Sequence, residues 1–243
     1  MRHVLLESWS RGHSGLHRRD PRAKLLPLGV FLVTLATAHR GLPLLAALLF
    51  LLLAAGVMAA GIPLRLALVR AGLVFSFALP FALLSFLAGE PGRAGALLAK
   101  SYLSSLAVLL VVSTTPMTVL LRGLEAVGAP RFLLMVAQFV YRYLFVIAEE
   151  AQQLRAAAAA RGATVRGTLA RRARFQAAAG ALGALFARSY ARAEAVHRAM
   201  LARGFAACFT GLDQLQFRRA DAYFALLAGC VPVAARLAVE RLA

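Results

Sequence analysis

Residues 42–61 read LPLLAALLFLLLAAGVMAAG, twenty positions without a charge. That is the length a helix needs to cross a bilayer, at about 1.5 Å of rise per residue against a hydrocarbon core of about 30 Å. Strands usually run about 3 to 10 residues, so the stretch predicts a helix. It is apolar on every face, as expected of a helix surrounded by lipid or by other apolar helices. Working outward, comparable runs occupy residues 25–38, 71–88 and 101–121, each followed by Gly, Pro or charged residues that punctuate helices. The composition agrees: 61% of the 243 residues are hydrophobic and 16% charged, where a soluble domain has roughly a quarter charged. A water-soluble globule is excluded.

The fold class expected is therefore an all-α integral membrane protein. A last apolar stretch at residues 220–239 brings the expected crossings to five, of which the first and last are the weakest by length and by Asp221, Pro232 and Arg236. Pro80 and Pro116 are expected to kink the third and fourth spans, where neighbouring helices satisfy the freed backbone groups. The domain reading is a basic amino-terminal segment (1–24), a four-helix membrane region (25–121), an aqueous helical domain (122–219), and the last span with the carboxyl terminus (220–243). No signal-peptide pattern opens the chain, and the two cysteines, Cys208 and Cys230, form no disulfide framework.

Charge sets the orientation. There are 28 Lys and Arg against 10 Asp and Glu, a formal charge of +18, and basic residues collect in cytoplasmic loops. Residues 1–24 carry six basic side chains and two acids, which predicts a cytoplasmic amino terminus; the expected location is the cell inner (plasma) membrane, with several passes. The apolar run 132–148 is different. Were it to span, it would export residues 149–219, with 12 arginines and four acids, and it carries Arg142 near its middle, a cost of a few kcal/mol or more for a lone span. It is expected to lie at the membrane surface. Only Lys24 and Lys100 among the basic residues are lysines, a bias that by itself has no mechanistic content.

After that run, residues 149–162 and 181–204 are rich in Ala and Arg, both good helix formers, joined by a basic connector at 163–176. Each helix closes on the same tripeptide, Ala160-Arg161-Gly162 and Ala202-Arg203-Gly204, 42 residues apart. One copy alone reads as a helix stop, with a cation complementing the helix dipole and Gly at the end. The repeat favours a binding role, since a guanidinium makes a bidentate bond to a partner carboxylate that lysine cannot copy.

At these residues the chain resembles the transmembrane T components of energy-coupling factor (ECF) transporters, in particular the branch labelled CbiQ. Paired Ala-Arg-Gly signatures on coupling helices are the hallmark of that family. The similarity extends to Asp20-Pro21-Arg22-Ala23-Lys24-Leu25-Leu26, to Tyr141-Arg142-Tyr143 with Glu149-Glu150, and to Arg188-Ser189-Tyr190 through Arg198-Ala199-Met200. The resemblance implies an L-shaped scaffold subunit whose coupling helices dock two ABC-type ATPase subunits through Arg161 and Arg203, and whose membrane helices hold a substrate-capture (S) subunit. It implies no catalysis in this chain, ATP and Mg being bound by the ATPases, and cobalt or nickel as cargo. A vitamin is the alternative cargo, because the capture subunit sets specificity.

Other chemistries find little support. Lys100-Ser101 follows Ala99 rather than Gly, so there is no phosphate-cradling loop. His13 and His17 stand four apart but no third ligand is near, and no metal site or cofactor in this chain is expected. The spans lack the intramembrane Asp, Glu or His of a stand-alone secondary carrier. A membrane-tethered nucleic-acid binder would want stacking aromatics, and only Phe175, Phe186 and Tyr190 lie between 149 and 204.

Overall fold

The computed structural model describes residues 14–17, 19–38, 41–161, 168–205 and 217–242, and it is helical without a strand among them. The helices are α1 (Pro21–Ala36), α2 (Leu42–Ala59), α3 (Leu64–Ala71), α4 (Phe75–Leu87), α5 (Pro91–Ser113), α6 (Met117–Val127), α7 (Arg131–Ala160), α8 (Thr168–Ala202) and α9 (Arg219–Leu242), with a 3-10 turn at Gly72–Val74 joining α3 to α4. Proline opens several of them: Pro21, Pro43 and Pro91 occupy first-turn positions, where the missing N–H is not needed. The residues separate into two compact units, Met1–Ala129 with Asp213–Ala243, and Pro130–Leu212.

Five helical stretches are long and apolar enough to cross a membrane: Leu42–Ala59, Leu64–Leu87, Pro91–Ser113, Arg131–Ala160 and Arg219–Arg241. The count of five agrees with the expectation, but its membership differs. Helix α1 has 16 residues, about 24 Å at 1.5 Å per residue, and falls short, whereas the run at 132–148 is part of α7 and qualifies by length. The fourth span also differs. It begins at Pro91 rather than 101, so residues between the expected third and fourth spans are its first turns, and it stops at Ser113. Pro116 is not a kink but the residue before α6, with extended backbone (ψ 144°). Pro80 does lie inside its helix, α4.

In the first unit α5 is central, packing on α1, α2, α3 and α4, while α9 lies along α1 and α2. Leu45, Leu49, Leu53 and Val57 of α2 repeat every four residues and are buried, together with Phe31 and Leu35 of α1, Leu103 and Leu106 of α5 and Val239 of α9. Leu44, Leu48, Leu51 and Met58, on the other faces of α2, are exposed, as a lipid-facing surface would be. Gly123 of α6 sits where a β-carbon would come within 2.8 Å of the Pro21 β-carbon, so α6 and the start of α1 are in backbone-close contact.

The two lysines join α1 and α5 reciprocally. Lys24, 4% exposed, donates from Nζ to the Thr114 carbonyl and to Thr115 Oγ1, both at 2.9 Å, capping the end of α5. Lys100, in α5, donates to the carbonyls of Ala36 and Ala38 at 2.9 and 2.7 Å, capping the end of α1. Arg236 of α9 adds bonds to the Thr37 carbonyl (3.1 Å) and hydroxyl. At the opposite end Arg19 pairs with Asp221 at 3.4 Å, and Asp20 caps α1 through the Arg22 N–H. The starts of α1 and α9 and the end of α5 thus share one end of the unit. The end of α1, the first turns of α5 and the last turns of α9 share the other.

Candidate functional site

In the second unit α7 and α8 pack on each other. No Gly or Pro interrupts residues 131–160, so α7 runs 30 residues without a break, through the boundary that hydropathy alone puts at Glu149. Helix α8, 35 residues long, passes through Gly180 and Gly183 because the surrounding Ala, Leu and Arg outweigh the cost of about 1 kcal/mol per glycine.

Each signature arginine ends one of these helices. Arg161 is the residue after α7, with φ −86° and ψ 14°, and its N–H bonds the Ala157 carbonyl at 3.2 Å. Arg203 follows α8 in the same way. Its neighbour Gly204 has φ +74°, and the Gly204 N–H reaches the Leu201 carbonyl at 3.0 Å while the Phe205 N–H reaches that of Met200 at 3.1 Å. These two bonds are the Schellman arrangement, in which a left-handed residue closes the helix. The glycine of the second copy is therefore required by the backbone. Gly162, its counterpart, lies outside the described residues. Ala160, Arg161, Ala202, Arg203 and Gly204 are all exposed, and among the described residues neither arginine has an ion pair.

The two helices are joined upstream of the signatures. The Glu150 carboxylate of α7 accepts from Arg188 at 3.2 Å and from Arg192 at 3.1 Å, and its side chain is 13% exposed. Arg188 and Arg192 are one turn apart on α8, so a single carboxylate holds two guanidinium groups. Glu149-Glu150 and Arg188 are among the residues that carry the family resemblance, but their partnership is not visible in the sequence.

Among the described residues no group of three or more His, Cys, Asp or Glu is arranged to hold a metal. His17 is occupied by Ser14, whose hydroxyl lies 2.7 Å from Nδ1, and His13 lies outside the described residues. The Pro130–Leu212 unit offers instead two exposed arginines, each set at the end of a long helix.

Five apolar helical stretches and a helical unit rich in arginine define a multi-pass membrane protein. The family model for CbiQ, described as cobalt transport protein, matches residues 12–211. The chain belongs to this family of transport proteins. No curated protein matches the chain.

Proposed function

We propose that the chain is the transmembrane scaffold (T) subunit of an ATP-driven importer of the ECF type, serving cobalt or nickel uptake. Two ABC-type ATPase subunits bind its arginine helices, and a membrane-embedded capture subunit binds its apolar helices. The observation that carries this reading is the pair of exposed arginines, Arg161 and Arg203, closing two long helices of one unit. Such helices are rigid levers, and an arginine fork is suited to a carboxylate on a moving partner. ATP and Mg belong to the partners. Affinity purification of the tagged chain from its own membranes is expected to bring down both ATPase subunits and a small membrane protein; recovery of the chain alone would remove the proposal.

The same reading puts the amino terminus and the whole Pro130–Leu212 unit in the cytoplasm. Parity supports this. The end of α5 and the start of α9 share one end of the first unit through Lys24, Thr114 and the Arg19–Asp221 pair, so the chain between them crosses an even number of times. Among the described residues of this unit only α7 is apolar enough to span, so a crossing by α7 would lack a return partner there, and the proposal sets it on the membrane surface. Its Arg142 suits the anionic inner leaflet. Gly180→Cys, at an exposed site with no heavy atom within 4 Å of its β-carbon position, tests it in a chain whose own Cys208 and Cys230 are replaced. An impermeant maleimide is expected to label it only after permeabilisation; strong labelling in intact cells would put α8 outside.

A further inference from the structure

The 42-residue repeat is longer than its tripeptide. Shifting the chain by 42 positions aligns Ala151 with Ala193, Leu154 with Val196, Ala157 with Ala199, and the two Ala-Arg-Gly signatures. From residue 152 to 161 burial follows the same shift: Leu154 and Val196 are both half-buried, as are Ala158 and Met200, while Arg161 and Arg203 are both exposed; before it, Glu150 and Ala151 are half-buried and Arg192 and Ala193 exposed. The shift also aligns Glu150 with Arg192, and these two residues are in contact, 3.1 Å apart. When two copies of a motif are related by a two-fold axis, residues on the axis meet their own equivalents. Identical charges would repel at such a point. Here one copy carries the carboxylate and the other the guanidinium, so equivalent positions attract.

We infer that the Glu150–Arg192 pair is the pivot of a local two-fold arrangement that sets where Arg161 and Arg203 stand relative to each other, so that they engage a two-fold-related pair of ATPase subunits. From the pivot each arm runs 11 residues to its arginine, about 16 Å and close to three full turns of helix. Each arginine accordingly lies near the face of its own helix that carries the pivot residue. Arg188, one turn before Arg192, makes a second bond to the same carboxylate and fixes the angle as well as the point of contact. Glu150 and Arg192 are positioning residues. They touch no nucleotide and no cargo, and they act through the two arginines.

This inference rests on the docking proposed above, and the test separates the two. The complex purified through the tagged full chain is immobilised, and release of its co-purifying ATPase subunits is timed. Two-point attachment strengthens retention by roughly 100- to 10,000-fold over one point, provided that both points fit at once. Glu150→Gln removes the charge and keeps the shape. It is expected to speed release at least about tenfold when both arginines are present, and less than about twofold in the Arg161→Glu chain, where one arm remains and relative placement no longer matters. Equal acceleration in both backgrounds, the signature of a generally loosened fold, would overturn the pivot, and so would no change in the two-armed chain. Should Glu150→Gln fail to accumulate, Arg192→Gln is measured with the same expectations. Release unchanged when Arg161→Glu and Arg203→Glu are combined would instead overturn the docking, and the pivot with it.

Discussion

Arg161→Glu combined with Arg203→Glu is expected, on the docking proposed above, to strip the ATPase subunits from the complex and abolish cobalt or nickel uptake, while either change alone leaves much of the ATPase bound and still stops most uptake. Removing one partner of a desolvated charge pair costs about 2 to 5 kcal/mol at that contact, but the second contact holds the complex at high effective concentration. Single changes therefore uncouple before they disassemble. The competing explanation is that the arginines merely complement helix dipoles, at about 0.3 to 1 kcal/mol each. At the second copy the structure weakens that explanation. The Gly204 and Phe205 N–H groups already satisfy the Leu201 and Met200 carbonyls, so the Arg203 guanidinium is not needed to close α8, and it stands exposed. Arginine-to-lysine changes separate the readings further. A dipole accepts either cation, whereas a bidentate fork does not accept an ammonium, so both Arg→Lys variants are expected to lose most uptake at normal expression. Pull-down and uptake measured on the same membranes decide the matter. Full uptake by the double glutamate variant would end the docking assignment.

How much of this was legible beforehand depends on the range of the interaction. The apolar run at 42–61 announces its helix because length and lack of charge are local properties, and α2 appears at Leu42–Ala59. Which face of α2 turns inward was not legible, since Leu occupies every side of it and only packing against α5 and α9 selects Leu45, Leu49, Leu53 and Val57. The end of α7 is legible in Ala160-Arg161, but hydropathy alone separates its start from the helix beyond Glu149, although a charge does not stop a helix and no Gly or Pro stands there. The signature glycine at 204 could be read as a stop because positive φ is a property of one residue. The Glu150 bridge could not, because it joins residues 38 and 42 positions apart. The lysine bias carried no meaning along the chain. In the structure its two exceptions are the reciprocal caps of α1 and α5.

Lys24→Met is accordingly expected to destabilise the first unit more than Lys100→Met, by about 1.5 to 3 kcal/mol, the range for hydrogen bonds made by a charged group to buried partners. Nearly isosteric, methionine leaves little cavity, so the loss reports on polar groups. It leaves the Thr114 carbonyl and the Thr115 hydroxyl without their donor, in a site where burial disfavours the ammonium and the buried Asp20 and Asp221 offset only part of that cost. Water replaces a missing donor readily at an exposed helix end but not at a buried one. Lys100 is half-buried, and the α1 end that it caps keeps the bonds from Arg236 to Thr37. Its loss is expected to cost about 1 kcal/mol, the net worth of ordinary hydrogen bonds. Arginine should rescue the two sites unequally: well at Lys100, which has room for a larger head, and poorly at Lys24, where a planar guanidinium would overpack a closed site. Melting of the purified chain in detergent, compared across the four variants, reads the difference. Equal shifts for Lys24→Met and Lys100→Met would mean that α1 is held by its apolar packing and that the buried ammonium adds nothing to it. A large loss at Lys24 alone would identify the break between α5 and α6 as a junction built around one lysine, which holds the end of α5 and the start of α1 at the same end of the unit.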